Sequence, residues 1–300
     1  MALVSVCIPT RNRPSLVRAA IESVLRQDCR PLEILVGDDS DCPEPSSLSE
    51  YEGSGITMRY QWNKIPKGQA GNVNSLLTAV RTPYVLLLHD DDLLLPGALR
   101  HLLEPLEHST DIVAVFGKQQ MITNEGALLV EETEALNEYY YRTSEYAGSR
   151  LSALESALVQ QFPNDGYLVR TGAAQRTLYR TDGKVGEFVD FDFGIRLALL
   201  GNSFFFVDVC TAQYRKTATA VSSVLRPGDT FEVIENITVP KEAEWAKQVA
   251  LERLAPISIV AYSKAGERRK AFKIFSSHYP LRRKLSFHGM FMLTRILISA

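Results

Sequence analysis

The chain has 300 residues, 45% of them apolar, with 33 basic and 35 acidic side chains for a net charge of −2. This balance leaves no electrostatic footprint for nucleic acid, which is excluded as an expected partner. The length fits one or two α/β domains. No run of about 20 apolar residues predicts a membrane-spanning helix.

Leu3 to Ile8 reads as an apolar, β-branched strand closed by Pro9, and Ser15 to Arg26 as a helix with Leu16, Ala19, Ala20 and Val24 at helical spacing. The next strand is Leu32 to Val36, which makes the first three elements a right-handed βαβ unit of a mainly parallel sheet. Arg59 to Trp62 is a third strand, Gly71 to Val80 a helix, and Tyr84 to Leu88 a fourth strand running into His89-Asp90-Asp91-Asp92. A helix from Pro96 to about Leu106 then leads to a strand at Ile112 to Phe116. The stretch from Ala127 to Gln161 mixes loops with a helix near Leu151 to Gln160. Tyr167 to Val169, Thr177 to Tyr179 and Phe204 to Val207 read as strands, and Phe191 to Leu200 as a helix with Gly201 as its C-cap. Towards the end come a helix from Glu242 to Leu254 interrupted by Pro256, another from Lys264 to Phe275, and an apolar helix from Leu285 to Ile298.

Three carboxylates at the end of a buried strand repel one another and resist desolvation, so they call for a cation or a set of donors. Mg²⁺ takes one or two carboxylates and fills its other positions with water and substrate phosphates, which makes this strand end a candidate nucleotide-diphosphate site. The structural alternative is that the acids cap the helix starting near Pro96. Ligands of parallel sheets collect at the carboxyl ends of strands. Three such ends carry polar clusters here: Thr10-Arg11-Asn12-Arg13, Asp38-Asp39-Ser40 and His89 to Asp92. Their convergence predicts one shared pocket. His89 is read as a packing or hydrogen-bonding neighbour, with metal ligation as the rival role. Cys7, Cys29, Cys42 and Cys210 show no zinc spacing. A reduced, cytoplasmic setting is expected, and the N-terminal residues show no secretion signal.

The segments Val4 to Asn12, Glu33 to Ser40 and Leu87 to Asp92 with Pro96-Gly97, followed by Val185-Gly186-Glu187-Phe188, Asp190, Arg196 and Tyr214-Arg215, resemble the family 2 glycosyltransferases of the GT-A fold. The resemblance covers roughly residues 2 to 220. It implies an α/β, Rossmann-like, mainly parallel sheet flanked by helices, with a helical C-terminal extension. Residues 1–225 would be the GT-A domain, with a donor half at about 1–118 and an acceptor half at about 119–225. Residues 226–300 would be the helical, basic extension.

The activity implied is metal-dependent, inverting transfer of a sugar from a nucleotide-diphosphate donor, a UDP-sugar, to a hydroxyl of a glycan or lipid-linked acceptor in surface polysaccharide synthesis. By the same resemblance Pro9, Thr10, Arg11, Arg13 and Asp39 hold the base and ribose, with Asn72 also on the donor. Asp90 faces the ribose or donor sugar, Asp91 lies between, and Asp92 is the principal ligand of Mn²⁺ or Mg²⁺, with Asp90 its companion. Asp190 matches the catalytic base, which takes the proton from the acceptor hydroxyl. Asp192 is the rival, and one of the two could instead cap the following helix. Three departures stand out: Gly71 replaces the Arg of an Ala-Arg-Asn triplet, Val189 replaces an acid before the base, and Lys216-Thr217 follows Tyr214-Arg215 where relatives often carry a His. The competing functions are a nucleotidyltransferase, which would need a Gly-rich loop where Thr10 to Arg13 has none, and a non-catalytic nucleotide-sugar-binding relative.

From Lys264 onward nine Lys or Arg accompany a single acid, Glu267, leaving the first 263 residues at about −10. Arg282-Arg283-Lys284 ahead of an apolar helix predicts peripheral attachment to an anionic inner membrane face, with packing on the domain or in a homodimer as the alternative. Trp62 and Trp245 are read as core or interface residues, with stacking on an acceptor sugar as the rival role, Asn164-Asp165-Gly166 as a turn, with acceptor contact as its rival, and Tyr139-Tyr140-Tyr141 as either an acceptor cleft or a surface loop.

Overall fold

The structure, a computed structural model, describes residues 3–30, 32–43, 55–217 and 228–279. β1 (Val4–Thr10), α1 (Pro14–Leu25), β2 (Leu32–Asp38), β3 (Ile56–Trp62), α2 (Gly68–Ala79) and β4 (Tyr84–Leu87) build a parallel block ordered β3-β2-β1-β4. After the short β5 (Leu93–Leu94) come α3 (Ala98–His108), β6 (Ile112–Ile122), α4 (Val130–Tyr139), α5 (Ala153–Leu158), β7 (Tyr167–Arg170), α6 (Thr171–Thr177), α7 (Val189–Ala198) and β8 (Ser203–Arg215). β7 runs antiparallel to both β4 and β6 and joins the two halves into one eight-stranded mixed sheet, β3-β2-β1-β4-β7-β6-β8-β5. Four of the seven strand pairings among the described residues are parallel.

Strand alternation divides the core between the two faces. Val4, Val6 and Ile8 of β1 turn towards α1 and α3, where Ile21, Leu99 and Leu102 are fully buried. Cys7 turns to the other face, which is covered by α2 and by α5 to α7 with Leu76, Leu158 and Phe193.

Several predicted elements change on this frame. The apolar triplet around Thr177 to Tyr179 is not a strand, because Thr177 ends α6 and Leu178 follows with φ +44°. A short apolar run carries too little periodicity to separate the two states. α4 falls inside a stretch expected to be mostly loop; among its residues only Asn137 is buried, so no apolar stripe announces it.

α8 (Thr230–Glu235), α9 (Glu244–Lys264) and α10 (Arg268–Ser276) follow. α9 is not broken at Pro256, as expected from the sequence, but runs through it for 21 residues. A proline inside a helix costs about 3 kcal/mol, which burial of Leu251, Leu254, Ala255 and Ile259 in the same apolar cluster as Phe193 and Phe231 offsets. The described part of the extension therefore packs on the sheet domain. The predicted helix from Leu285 to Ile298 lies outside the described residues. No helix among the described residues is long and apolar enough to cross a membrane.

At the head of α8, Asp229 accepts hydrogen bonds from the Tyr262 hydroxyl (2.8 Å) and the Lys270 ammonium (2.9 Å), tying α8 to α9 and α10. The Lys270 hydrogen bond, followed by that from Tyr262, holds the Asp229 carboxyl below its ordinary pKa. A lowered carboxylate pKa adds stability above the unfolded value and loses it as pH falls through the folded one. Asp229→Asn is expected to destabilise the protein by about 0.5–1 kcal/mol at neutral pH, the scale of a half-exposed pair. In thermal melts the gap to wild type should close in acid.

Candidate functional site

Parallel register brings the polar strand ends together. Thr10 pairs with Asp38, the Asp39 N–H donates to the Thr10 carbonyl (2.9 Å), and the Leu88 N–H to the Cys7 carbonyl (3.0 Å). A cavity of about 650 Å³ opens at this edge. Pro9, Thr10, Arg11, Arg13, Asp39, Asn72, His89, Asp90 and Asp91 line it. So do Asp190, Phe188, Tyr139, Tyr140 and, from α9, Arg253, Leu254 and Ile257.

Asp39 is fixed by two donors. Asn63 Nδ2 reaches Oδ1 (2.8 Å) and the Lys67 N–H reaches Oδ2 (3.0 Å). Asn63 also donates to Asn72 Oδ1 (3.1 Å), whose Nδ2 donates to the Gly37 carbonyl (2.8 Å). A Cβ on Gly37 would stand 2.3 Å from Asn72 Oδ1, so this close approach of helix to strand requires glycine. Asp38 accepts from the Tyr60 hydroxyl (2.6 Å) and the Ser40 N–H (2.8 Å) instead.

In the acidic turn, Asp90 accepts from the Thr10 hydroxyl (2.7 Å) and Arg13 Nη1 (3.0 Å). Arg13 also reaches Asp91 Oδ2 (2.9 Å). Burial pushes the Asp90 carboxyl up, against the pull of Thr10 and Arg13. Asp92 does not line the cavity. It is buried behind the wall, accepts the Arg215 N–H on Oδ1 (2.8 Å), and leaves Oδ2 without a hydrogen-bond partner. Burial, then Asp165 and Asp91, push its carboxyl well above the usual range. The His89 backbone N–H donates to Asp165 Oδ2 (2.9 Å), and the ring Nε2 lies 3.7 Å from Asp190 Oδ1. Burial opposes a charged imidazole there, but Asp165, Asp190 and Asp92 outweigh it and raise the pKa well above the ordinary value. One ligand atom each from His89, Asp91 and Asp92 lies within 4.8 Å of the others. The acids do not cap α3: β5 intervenes, and Gly97 precedes the helix with no side-chain cap.

α7 begins at Val189, so Asp190 and Asp192 both sit in its first turn and neither is its N-cap. Asp190 faces the cavity, with the Tyr179 hydroxyl on Oδ1 (2.7 Å) and Gln69 Nε2 on Oδ2 (2.9 Å). Asp192 points away from it. Arg180 Nε and Nη2 bind its Oδ1 (both 3.1 Å), and Arg196 Nε binds its Oδ2 (2.7 Å).

Gln69, Tyr179, Asp165 and Arg253 escaped the sequence reading. Only the Asn164-Asp165-Gly166 turn carried a signal, and it pointed to a turn; the other three reach the site by long-range contacts. Arg253 bridges two carbonyls, Val159 (2.6 Å) and Tyr139 (2.5 Å), and its guanidinium lies 4.1 Å from the Tyr139 ring centroid. Where Gly71 leaves the triplet without its Arg, three nearby cations offer themselves, Arg11, Lys64 and Lys67: Arg11 lines the cavity and the two lysines do not, the Lys67 ammonium donating to Ser75 (2.7 Å).

The family model "Glycosyl transferase family 2" matches residues 5–149. A GalNAc(5)-diNAcBac-PP-undecaprenol beta-1,3-glucosyltransferase of Campylobacter jejuni is 30% identical over 169 residues, 53% of this chain and 54% of that protein. The chain thus spans about half the length of that curated relative. Staphylococcus aureus TarS 1–349 in complex with UDP-GlcNAc superposes with a TM-score of 0.63 at 18% identity, covering 85% of this chain and 72% of that one. The mannosyltransferase PcManGT of Pyrobaculum calidifontis, in complex with GDP-Man and Mn²⁺, gives 0.59 at 14% identity, covering 99% and 85%. The fold is that of the GT-A class. Within it, residues 5–149 are similar to glycosyltransferase family 2.

Proposed function

We propose that the chain transfers a sugar, with inversion, from a UDP-sugar to a hydroxyl of a lipid-linked glycan in cell-envelope polysaccharide synthesis. The observation that carries this reading is one cavity lined by Asp39, Asp90, Asp91 and Asp190 together. The nucleotide lies along Pro9 to Arg13 with its base against Asp39, Asn72 supports that end, and Asp90 faces the ribose or donor sugar. The donor half, about residues 1–118, supplies these groups; the acceptor half, about 119–225, supplies Asp190, Tyr139 and Tyr140, and α9 adds to the same wall. The lipid-linked relative favours such an acceptor, and the UDP-GlcNAc complex of TarS favours uridine. A lipid-linked acceptor also places the protein at a membrane surface.

The residues fit a hard divalent cation, Mn²⁺ or Mg²⁺. A buried carboxylate oxygen on Asp92 has no donor, and its neighbours Asp91 and His89 bring ligand atoms close to it. Asp92 would be the principal ligand, with Asp91 and His89 nearest; Asp90, engaged by Thr10 and Arg13, is the more distant candidate. When bound, such an ion supplies positive charge against the diphosphate as it leaves. The protein does the rest. Asp190 takes the proton from the acceptor hydroxyl, whose oxygen bonds to the anomeric carbon while the bond to the diphosphate breaks and its electron pair leaves with the nucleotide.

UDP with Mn²⁺ should raise the melting temperature in proportion to the logarithm of its saturation, GDP should do so far less, and Asp39→Ala should lose the UDP response. No response to any nucleotide would overturn the reading.

A further inference from the structure

Asp190 is gripped from one helix by two routes. Gln69, in the first turn of α2, donates directly to Oδ2 at 2.9 Å. Tyr179 donates to Oδ1 at 2.7 Å, and its own backbone is pinned to α2 in both directions: its N–H donates to Asn74 Oδ1 (2.6 Å), and Asn74 Nδ2 donates to its carbonyl (2.9 Å). The same helix also touches the opposite end of the cavity. Lys67, just before α2, donates its N–H to Asp39, and Asn72 within it accepts from Asn63, which holds Asp39 as well.

We infer that α2 is the element that aims the Asp190 carboxylate, with Gln69 and Tyr179 as positioning residues for the proton-accepting group. This rests on the reading of Asp190 as the base. A carboxylate held on one oxygen still swings about its last torsion, whereas donors on both oxygens fix its plane. An ionised carboxylate offers about four lone-pair sites, so two donors leave about two for the incoming hydroxyl. Tyr179 is a dependable donor because burial, then Asp190 and Tyr167, keep its hydroxyl well above the ordinary phenol pKa. Since α2 also meets Asp39 through Lys67 and Asn72, one rigid helix sets the spacing between the nucleotide end and the base.

The test compares Gln69→Ala, Gln69→Glu and Tyr179→Phe with wild type for UDP binding, melting temperature and turnover of UDP-glucose or UDP-GlcNAc, whichever the wild type consumes faster. Gln69→Ala and Tyr179→Phe should lower kcat roughly 10-fold or more, since misplacement of a catalytic group by about 1 Å can cost 10²-fold. The UDP Kd should stay within about twofold, because neither residue is placed on the nucleotide. Gln69→Glu should be worse than Gln69→Ala, as it sets a second carboxylate against Asp190 instead of a donor; a purely structural role predicts the reverse order. In an Asp190→Asn background the added loss should shrink to about twofold or less, the mark of residues acting through one group. Unchanged kcat, a loss confined to UDP affinity, or multiplying losses would overturn the clamp while leaving the base intact. Near wild-type turnover by Asp190→Asn alone would remove the base and the clamp together.

Discussion

Asp190→Asn is expected to lower sugar transfer by a factor of roughly 10² or more, the scale for loss of a general base, with UDP affinity nearly unchanged. Asp192→Asn should behave differently in kind. Its oxygens are taken by Arg180 and Arg196, and Arg196 also holds the Thr177 and Leu178 carbonyls, so the loss falls on the joint between α6 and α7. Removing one partner of a buried ion pair costs about 3–5 kcal/mol; the two arginines are about a quarter exposed, which brings the expectation to about 2–3 kcal/mol. Steady-state kinetics beside thermal melts separates the two. If Asp192→Asn loses turnover at full stability while Asp190→Asn keeps it, the assignment of the base is reversed.

Chelation is the second large effect. EDTA should abolish transfer, Mn²⁺ or Mg²⁺ should restore it, and Asp92→Asn should be inactive yet folded, since its amide oxygen can still accept the Arg215 N–H. Stability supplies a readout independent of activity. A carboxyl whose folded pKa is raised contributes stability that is full below its unfolded pKa, about 3.9, and is lost as pH rises through the folded value. Metal-free wild type at neutral pH therefore carries the cost of the Asp92 charge, which Asp92→Asn removes. The metal-free variant should melt no lower than metal-free wild type, and the rise in melting temperature on adding Mn²⁺ should be confined to wild type. Full activity in EDTA would defeat the metal assignment.

The gathering of the polar strand ends was legible in the sequence because its physics is local: an apolar strand ends, polar residues follow, and parallel register brings them together. Pro9, Thr10, Arg11, Arg13, Asp39, Asp90 and Asp91 reach the cavity for that reason, and Asp92, adjacent in sequence, does not. Of the other lining residues, Asp190, Phe188, Tyr139 and Tyr140 were named from the sequence, whereas Gln69 and Arg253 were not. β6 and β8 carry polar residues such as Gln119, Gln120 and Gln213, so their full lengths had no clean alternation. Gln69 meets Asp190 across 121 positions. No spacing rule anticipates such a contact. A proline at 256 argued for a helix end, and the tertiary burial of α9 prevailed over that local cost.

The position of α9 bears on how the pocket comes into being as the chain is made. Domains emerge N-terminal part first during synthesis, so every strand-end carboxylate named above precedes α9 off the ribosome. The chamber is nevertheless walled partly by Arg253, Leu254 and Ile257. A nascent chain therefore holds the acidic turn and Asp190 before it holds an enclosed site, and that interval exposes any bound reactant to water instead of to a fixed protein lining. Docking of this late helix couples completion of the fold to completion of the cavity wall.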